Sequence, residues 1–304
     1  MHRRAWLLIG VLAALWGASY MFIKVGLDDD LHPATIVFLR TALGALVLVP
    51  IALSRRAFAA VRPHLGWVLV LAVAQVAVPF LLITVGEEHI SSSLAGILVS
   101  AAPIFTALLA LMFDAEERST GLRLVGIVIG IAGVALLFGV DLTGGTEELL
   151  GGLAVLLAAL GYAVGAMLIK HRLPGVPPVG IAGTTMAFAA LVMVPLAALH
   201  VPSHGVELET VGAMIGLGAG GTGLAFLIFY TLIADVGPAR ASIVAYIAPG
   251  FAVIYGATLL DEAIGVATVI GLVLILAGSY LGAEGKLPGR GAKVAEPEPT
   301  GVDA

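Results

Sequence analysis

The sequence has no cysteine in its 304 residues, which excludes disulfides, thiolate metal sites and thiol redox chemistry. Charge is also scarce. Asp, Glu, Lys and Arg make up 12% of the chain, about half the share in a soluble domain. With 60% hydrophobic residues and a mean hydropathy of +1.09, the apolar side chains exceed what a soluble core can absorb. The formal net charge of −5 carries little information, because the placement of Lys and Arg matters more than their sum in a membrane chain. A lipid bilayer is the expected surrounding, and no nucleic-acid partner is expected.

Apolar stretches long enough to cross about 30 Å of hydrocarbon lie near 5–26, 33–53, 65–85, 91–113, 120–140, 149–170, 179–200, 210–234, 240–260 and 264–283. Breaks such as Asp28-Asp29-Asp30, Arg55-Arg56 and Pro174-Gly175-Val176-Pro177-Pro178 separate them. Met1-His2-Arg3-Arg4 before the first run imitates a signal peptide. Comparable spans follow at once, so it reads as an uncleaved first helix.

Starting inside, the cytoplasmic segments collect Arg3, Arg4, Arg55, Arg56, Arg62, Arg118, Arg123, Lys170, Arg172, Arg240, Lys286, Arg290 and Lys293. The external segments hold only Lys24. This bias predicts both termini on the cytoplasmic side of an inner (plasma) membrane. The polar, Pro/Gly-rich tail 284–304 is expected to be disordered.

The chain repeats itself at an offset of 145 or 146 residues. Phe22-Ile23-Lys24 returns as Leu168-Ile169-Lys170, and Pro50 as Pro195. Leu94 to Pro103 parallels Arg240 to Pro249, each followed by an acid and a glycine: Glu117 with Gly126, then Glu262 with Gly271. The expected fold is therefore all-α and integral to the membrane, with ten transmembrane helices in two five-helix repeats at 1–144 and 145–283. An odd number of spans per unit inverts the second copy, which suits a shared midplane site and alternating access.

The residues Leu15-Trp16-Gly17-Ala18-Ser19 with Lys24, Phe38-Leu39-Arg40 with Pro50, and Pro103 to Ala110 with Glu117 and Gly126 make the chain resemble the EamA-type branch of the drug/metabolite transporter superfamily. Pro249 to Glu262 with Gly271 repeats the last element, and the likeness covers about residues 5 to 283. The resemblance implies two inverted five-helix bundles around a cavity lined mainly by spans one to four and six to nine. It implies efflux of amino acids or other metabolites. Two places depart from the pattern. An extra residue before Glu117 makes Glu116 an alternative counterpart of Glu262, and Gly161-Tyr162-Ala163 stands where the first copy has Trp16-Gly17-Ala18.

Arg40 lies about seven residues inside the second span, on the order of 10 Å deep. Its guanidinium either offers a fork to a substrate carboxylate or phosphate, or serves packing through carbonyls or an acid such as Glu87 or Glu88. Gln75, Trp16, Tyr20, Tyr162, Tyr230 and Tyr246 are the remaining substrate-binding candidates, offering polar tips on apolar bodies. Lys24 and Lys170 are gate candidates at opposite mouths. Pro103 and Pro249 are expected as twin kinks, and Gly220 and Gly221, beside Thr222, as a hinge or wall. Gly126-xxx-Gly130 and Gly278-xxx-Gly282 suit tight packing of spans five and ten, with a monomer or weak homodimer expected.

No central Asp or Glu is expected in the spans, with Glu117, Asp235 and Glu262 near ends and Glu87-Glu88 grouped outside. Coupling through an embedded carboxylate is correspondingly disfavoured. His200 and His204 alone make no metal site, and no cofactor is expected. The function expected is secondary transport, exporting small polar metabolites such as amino acids. The alternatives are a membrane-embedded lipid-modifying enzyme or a pore.

Overall fold

A computed structural model describes residues 2–113, 121–140, 142, 145–203 and 205–284. Glu116, Glu117, Arg118, His204 and the tail from 285, with Lys286, Arg290 and Lys293, lie outside the described residues.

Ten spans follow in chain order: α1 (Arg3–Asp28), α2 (Pro33–Ser54), α3 (Phe58–Glu87), α4 (Ser92–Phe113), α5 (Gly121–Val140), α6 (Thr146–Arg172), α7 (Pro178–Ala198), α8 (Leu208–Val236), α9 (Val244–Leu259) and α10 (Val266–Glu284). Nine are long and apolar enough to cross a membrane; α9 is shorter, at 16 residues, and follows the single turn Pro238–Ala241. Among the described residues there is no strand. Exposed leucines and valines such as Leu46, Val128, Leu191 and Val273 form the lipid-facing surface.

Local chemistry sets the helix ends. Pro33 sits in the first turn of α2, where its missing N–H costs nothing, and the His32 Nδ1 accepts from Ala34 N at 3.1 Å. Ser91 caps α4 by accepting from Leu94 N at 3.2 Å. The helix α6 begins with Glu147 and Glu148 and ends with Lys170, His171 and Arg172, opposing its dipole at both ends.

The packing follows the repeat. α1 packs on α8 and α9, as α6 packs on α3 and α4; α2 packs on α8, as α7 packs on α3; α2 meets α7, and α5 meets α10. Exchanging the halves maps every one of these pairs onto another or onto itself, the pattern of a pseudo-two-fold axis relating two inverted bundles. Gly126 and Gly130 of α5 lie against Gly282 and Gly278 of α10, where a Cβ at Gly126, Gly130 or Gly278 would strike backbone or side chain. The two glycine pairs are thus used inside the chain.

Two spans carry matching π-helical turns, Ala72–Ala77 in α3 and Gly216–Leu224 in α8, which overlap at the 145-residue offset. The widened turn in α8 is glycine-rich, which lets Gly218 and Gly223 sit against Leu43 and Val47 of α2. Gln75, in the α3 turn, lies against Gly165 of α6.

The kinks differ from expectation. Span α4 is broken at Ser100–Ala101, just before Pro103, into Ser92–Val99 and Ala102–Phe113, and Ser279 Oγ of α10 donates to the Ser100 carbonyl at 2.9 Å. Pro249 instead lies within continuous α9, whose interruption comes earlier, at Ser242–Ile243. A proline removes one helical hydrogen bond and permits a bend without requiring a break, so a helix break accompanies Pro103 and none accompanies Pro249.

Candidate functional site

Arg40 is 8% exposed and points from α2 toward the second half. Its Nε donates to Thr222 Oγ1 at 3.1 Å, and its guanidinium carbon lies 3.6 Å from the centre of the Phe80 ring. Thr222 Oγ1 in turn donates to the Leu217 carbonyl at 3.0 Å, across the π-turn. That is the only hydrogen bond of the guanidinium among the described residues, and neither terminal nitrogen is both fully buried and unpartnered. The planar end of the fork therefore keeps access to the interior between the halves. Neither Glu87 nor Glu88 hydrogen-bonds it.

Tyr20, Tyr162 and Glu87 lie within electrostatic reach of Arg40. Tyr20 and Tyr162 pack on one buried cluster built from Ile23, Ile36, Ile83, Ala158 and Leu217, yet keep part of their surface accessible. Trp16 stands 5.3 Å from the Phe229 ring and 6.3 Å from Phe226, which is 5.9 Å from Tyr230. These aromatics form a wall between α1 and α8.

The remaining candidates separate. Tyr246 pairs with Tyr280 of α10 at 6.0 Å, away from Arg40. Gly221 lies against Ser19 of α1, and Gly220 shares its π-turn. Lys24 Nζ donates to the Glu87 carbonyl at 3.2 Å and lies 3.8 Å from Asp28, whereas Lys170 is exposed at the opposite face.

Glu87 requires a correction. It is the last residue of α3, and unlike an acid of an exposed turn its side chain is fully buried. Neither carboxyl oxygen has a hydrogen-bond partner among the described residues. A buried acid thus does exist in the bundle.

A second feature escaped the sequence altogether. The Glu262 carboxylate, in the loop after α9, accepts from Ser92 N at 2.7 Å, Ser93 N at 3.0 Å and Ser93 Oγ at 2.5 Å. With Ser91 Oγ on Leu94 N, every free amide in the first turn of α4 is satisfied. A negative charge at a helix N-terminus is favourable, so this clasp ties the two halves at the face opposite the termini. The Ser91-Ser92-Ser93 run marks a helix start, but a partner 169 residues away leaves no local signal. Beside the clasp, Lys24, Asp28, His32 and Glu88 line a depression of about 320 Å³. His32 and His200 stack at 3.5 Å there; among the described residues, no three metal-ligating side chains cluster.

The description "EamA-like transporter family" matches the chain twice, at residues 4–139 and 149–282. An uncharacterized transporter of Archaeoglobus fulgidus is 27% identical over 91% of the chain and 98% of its own length. The uncharacterized inner membrane transporter YedA of Escherichia coli is 30% identical, over 90% of this chain and 92% of its own. A probable amino-acid metabolite efflux pump of Escherichia coli is 26% identical over 92% and 95%. A solved crystal structure shares the fold at a TM-score of 0.65 and 22% identity, covering 93% of this chain and 98% of that one. With two matched copies, ten apolar helices and two packed halves, this chain belongs to the EamA-like transporter family and is a multi-pass membrane transporter.

Proposed function

We propose that the chain exports small zwitterionic or anionic metabolites, amino acids foremost, by alternating access around the Arg40 cluster. The observation carrying this reading is the guanidinium held by Thr222 and Phe80 with its terminal nitrogens uncommitted to protein. A cation this deep in a bundle is costly, and a fixed fork without an acidic partner suits a carboxylate brought by a solute. The aromatics Trp16, Tyr20, Tyr162 and Tyr230 give that solute an apolar wall with polar tips. Gln75, lying against Gly165, belongs to packing in this reading.

The clasp of Glu262 on α4 closes one end of the site, and breaking it opens that end. Units 1–144 and 145–283 would move as the two rocking bodies. With arginines concentrated at the face of the termini, that face is the cytoplasmic one and the clasp faces outward across an inner membrane. The relative described as an amino-acid metabolite efflux pump supports the substrate class. Transport is favoured over catalysis because the family and the relatives are described as transporters.

Counterflow in liposomes tests the reading. Vesicles holding purified protein and an unlabelled mixture of L-amino acids should accumulate one or more labelled amino acids transiently and saturably, and Arg40→Ala should abolish this without loss of folded protein. Equal counterflow by Arg40→Ala would remove Arg40 from the site.

A further inference from the structure

Glu87 is a fully buried acid that the transport reading leaves unused. Its side chain is fully buried at the far-face end of α3, and both carboxyl oxygens lack a hydrogen-bond donor among the described residues. The charged and titratable groups within electrostatic reach of it are Lys24 and Tyr20 on α1, Arg40 on α2 and Glu262 after α9, with Glu88 next in the chain. Neither cation serves the carboxyl. The Lys24 ammonium is bonded to the Glu87 backbone carbonyl and lies near Asp28, and Arg40 is engaged by Thr222 and Phe80. Glu262, the nearer acid electrostatically, adds repulsion while clasped to α4. A buried carboxylate without a single hydrogen-bond donor is costly even with two cations in electrostatic reach, so in this closed arrangement the group holds a proton.

We propose that the Glu87 carboxyl is the proton-binding site that couples transport, and that a proton and the ammonium group of a zwitterionic solute are its alternative partners. Resting on the transport reading above, this inference assigns the two ends of the solute: carboxylate to Arg40, ammonium to ionised Glu87. Neutral Glu87 has no attraction for the ammonium. A solute entering from the cytoplasmic side displaces the proton to that side, and after the clasp opens, the solute leaves and Glu87 takes a proton from outside. One proton moves in for each zwitterion moved out, with no bond made or broken except that to the proton. The repeat counterpart of Glu87 is apolar, at Leu232 or Ile233, so the second repeat does not duplicate this site.

Two measurements on the full-length protein test this. Infrared difference spectra across a pH titration of the detergent-solubilised protein should show a protonated-carboxyl band that is absent in Glu87→Gln and present in Glu262→Gln. Liposomes loaded with mixed L-amino acids and a pH-sensitive dye should acidify internally as amino acid leaves, and Glu87→Gln, which offers neither a titratable group nor a charge for the ammonium, should lose that acidification and amino-acid exchange together. Glu87→Asp, which keeps the acid if Gln misfolds, should retain both the band and the acidification. An ionised Glu87 throughout the titration, or undiminished acidification by a folded Glu87→Gln, overturns the proposal. If the wild type moves no amino acid, the transport reading falls, and the infrared band still decides whether Glu87 holds a proton.

Discussion

Arg40 and Thr222 are 182 residues apart in the chain, on α2 and α8, and meet at 3.1 Å in the middle of the bundle. One belongs to each half, so the bond reports how the halves are apposed. It exists because the π-turn of Gly216–Leu224 rotates Thr222 toward α2, and because Gly218 and Gly223 let the two backbones approach.

Replacing Thr222 by valine keeps the shape and removes the oxygen that orients the guanidinium. A charge-assisted hydrogen bond contributes about 1.5–3 kcal/mol to the folded state, so Tm should fall and, with the guanidinium no longer oriented, substrate Kd should rise. Arg40→Lys should not restore binding, since a point charge cannot reproduce the fork. Isothermal titration with the amino acid found by counterflow checks both.

The clasp predicts a second result. Glu262→Gln halves the acceptor capacity at the first turn of α4, and Gly256→Ala places a methyl group against Ser93 Oγ and the Glu262 carboxylate. Each should lower stability by about 1–3 kcal/mol and favour the arrangement open at the far face. Thermal unfolding and protease access to the loop at Asp261 measure the two effects separately.

Acid should weaken the His32 end. Burial and then the stacked His200 hold the His32 imidazole below its ordinary 6.5, with Glu88 opposing. The unfolded chain therefore binds the proton first as pH falls, so folded stability declines from pH 6.5 down to the lowered folded-state value and then levels off. Protonation at Nδ1 also removes the acceptor for Ala34 N. His32→Asn, which can still cap α2, should flatten the decline in Tm below pH 6.5.

Gly126→Leu or Gly130→Leu should separate α5 from α10, because the added side chain meets Gly282, Leu281 or Ile104. Overpacking of this kind costs about 1–3 kcal/mol or more, read as a fall in Tm in detergent with no change in oligomeric state.

Most of the fold was legible. Hydropathy located ten spans to within a few residues except at α3, which starts at Phe58, and the offset of Lys24 to Lys170 and Pro103 to Pro249 exposed the duplication. Arg40 stood out because a lone cation in an apolar run is expensive. Tertiary partners were not legible. Glu87 reads as an exposed acid beside Glu88, but it ends α3 with its side chain buried, and whether a residue at a span end faces water or the bundle depends on helix rotation. Pairings across the halves, such as Glu262 with Ser93, follow from three-dimensional apposition.

The account's central claim is that one site opens alternately to the two sides, and the cysteine-free sequence allows a clean test. Tyr20→Cys puts a unique thiol beside Arg40, to be challenged with a membrane-impermeant maleimide in right-side-out and inverted vesicles. Alternating access predicts modification from both sides, with reaction from the far face lost when Glu262 and Ser93 are replaced by cysteines and cross-linked before the challenge. Modification from one side only, whether or not the clasp is locked, would contradict it.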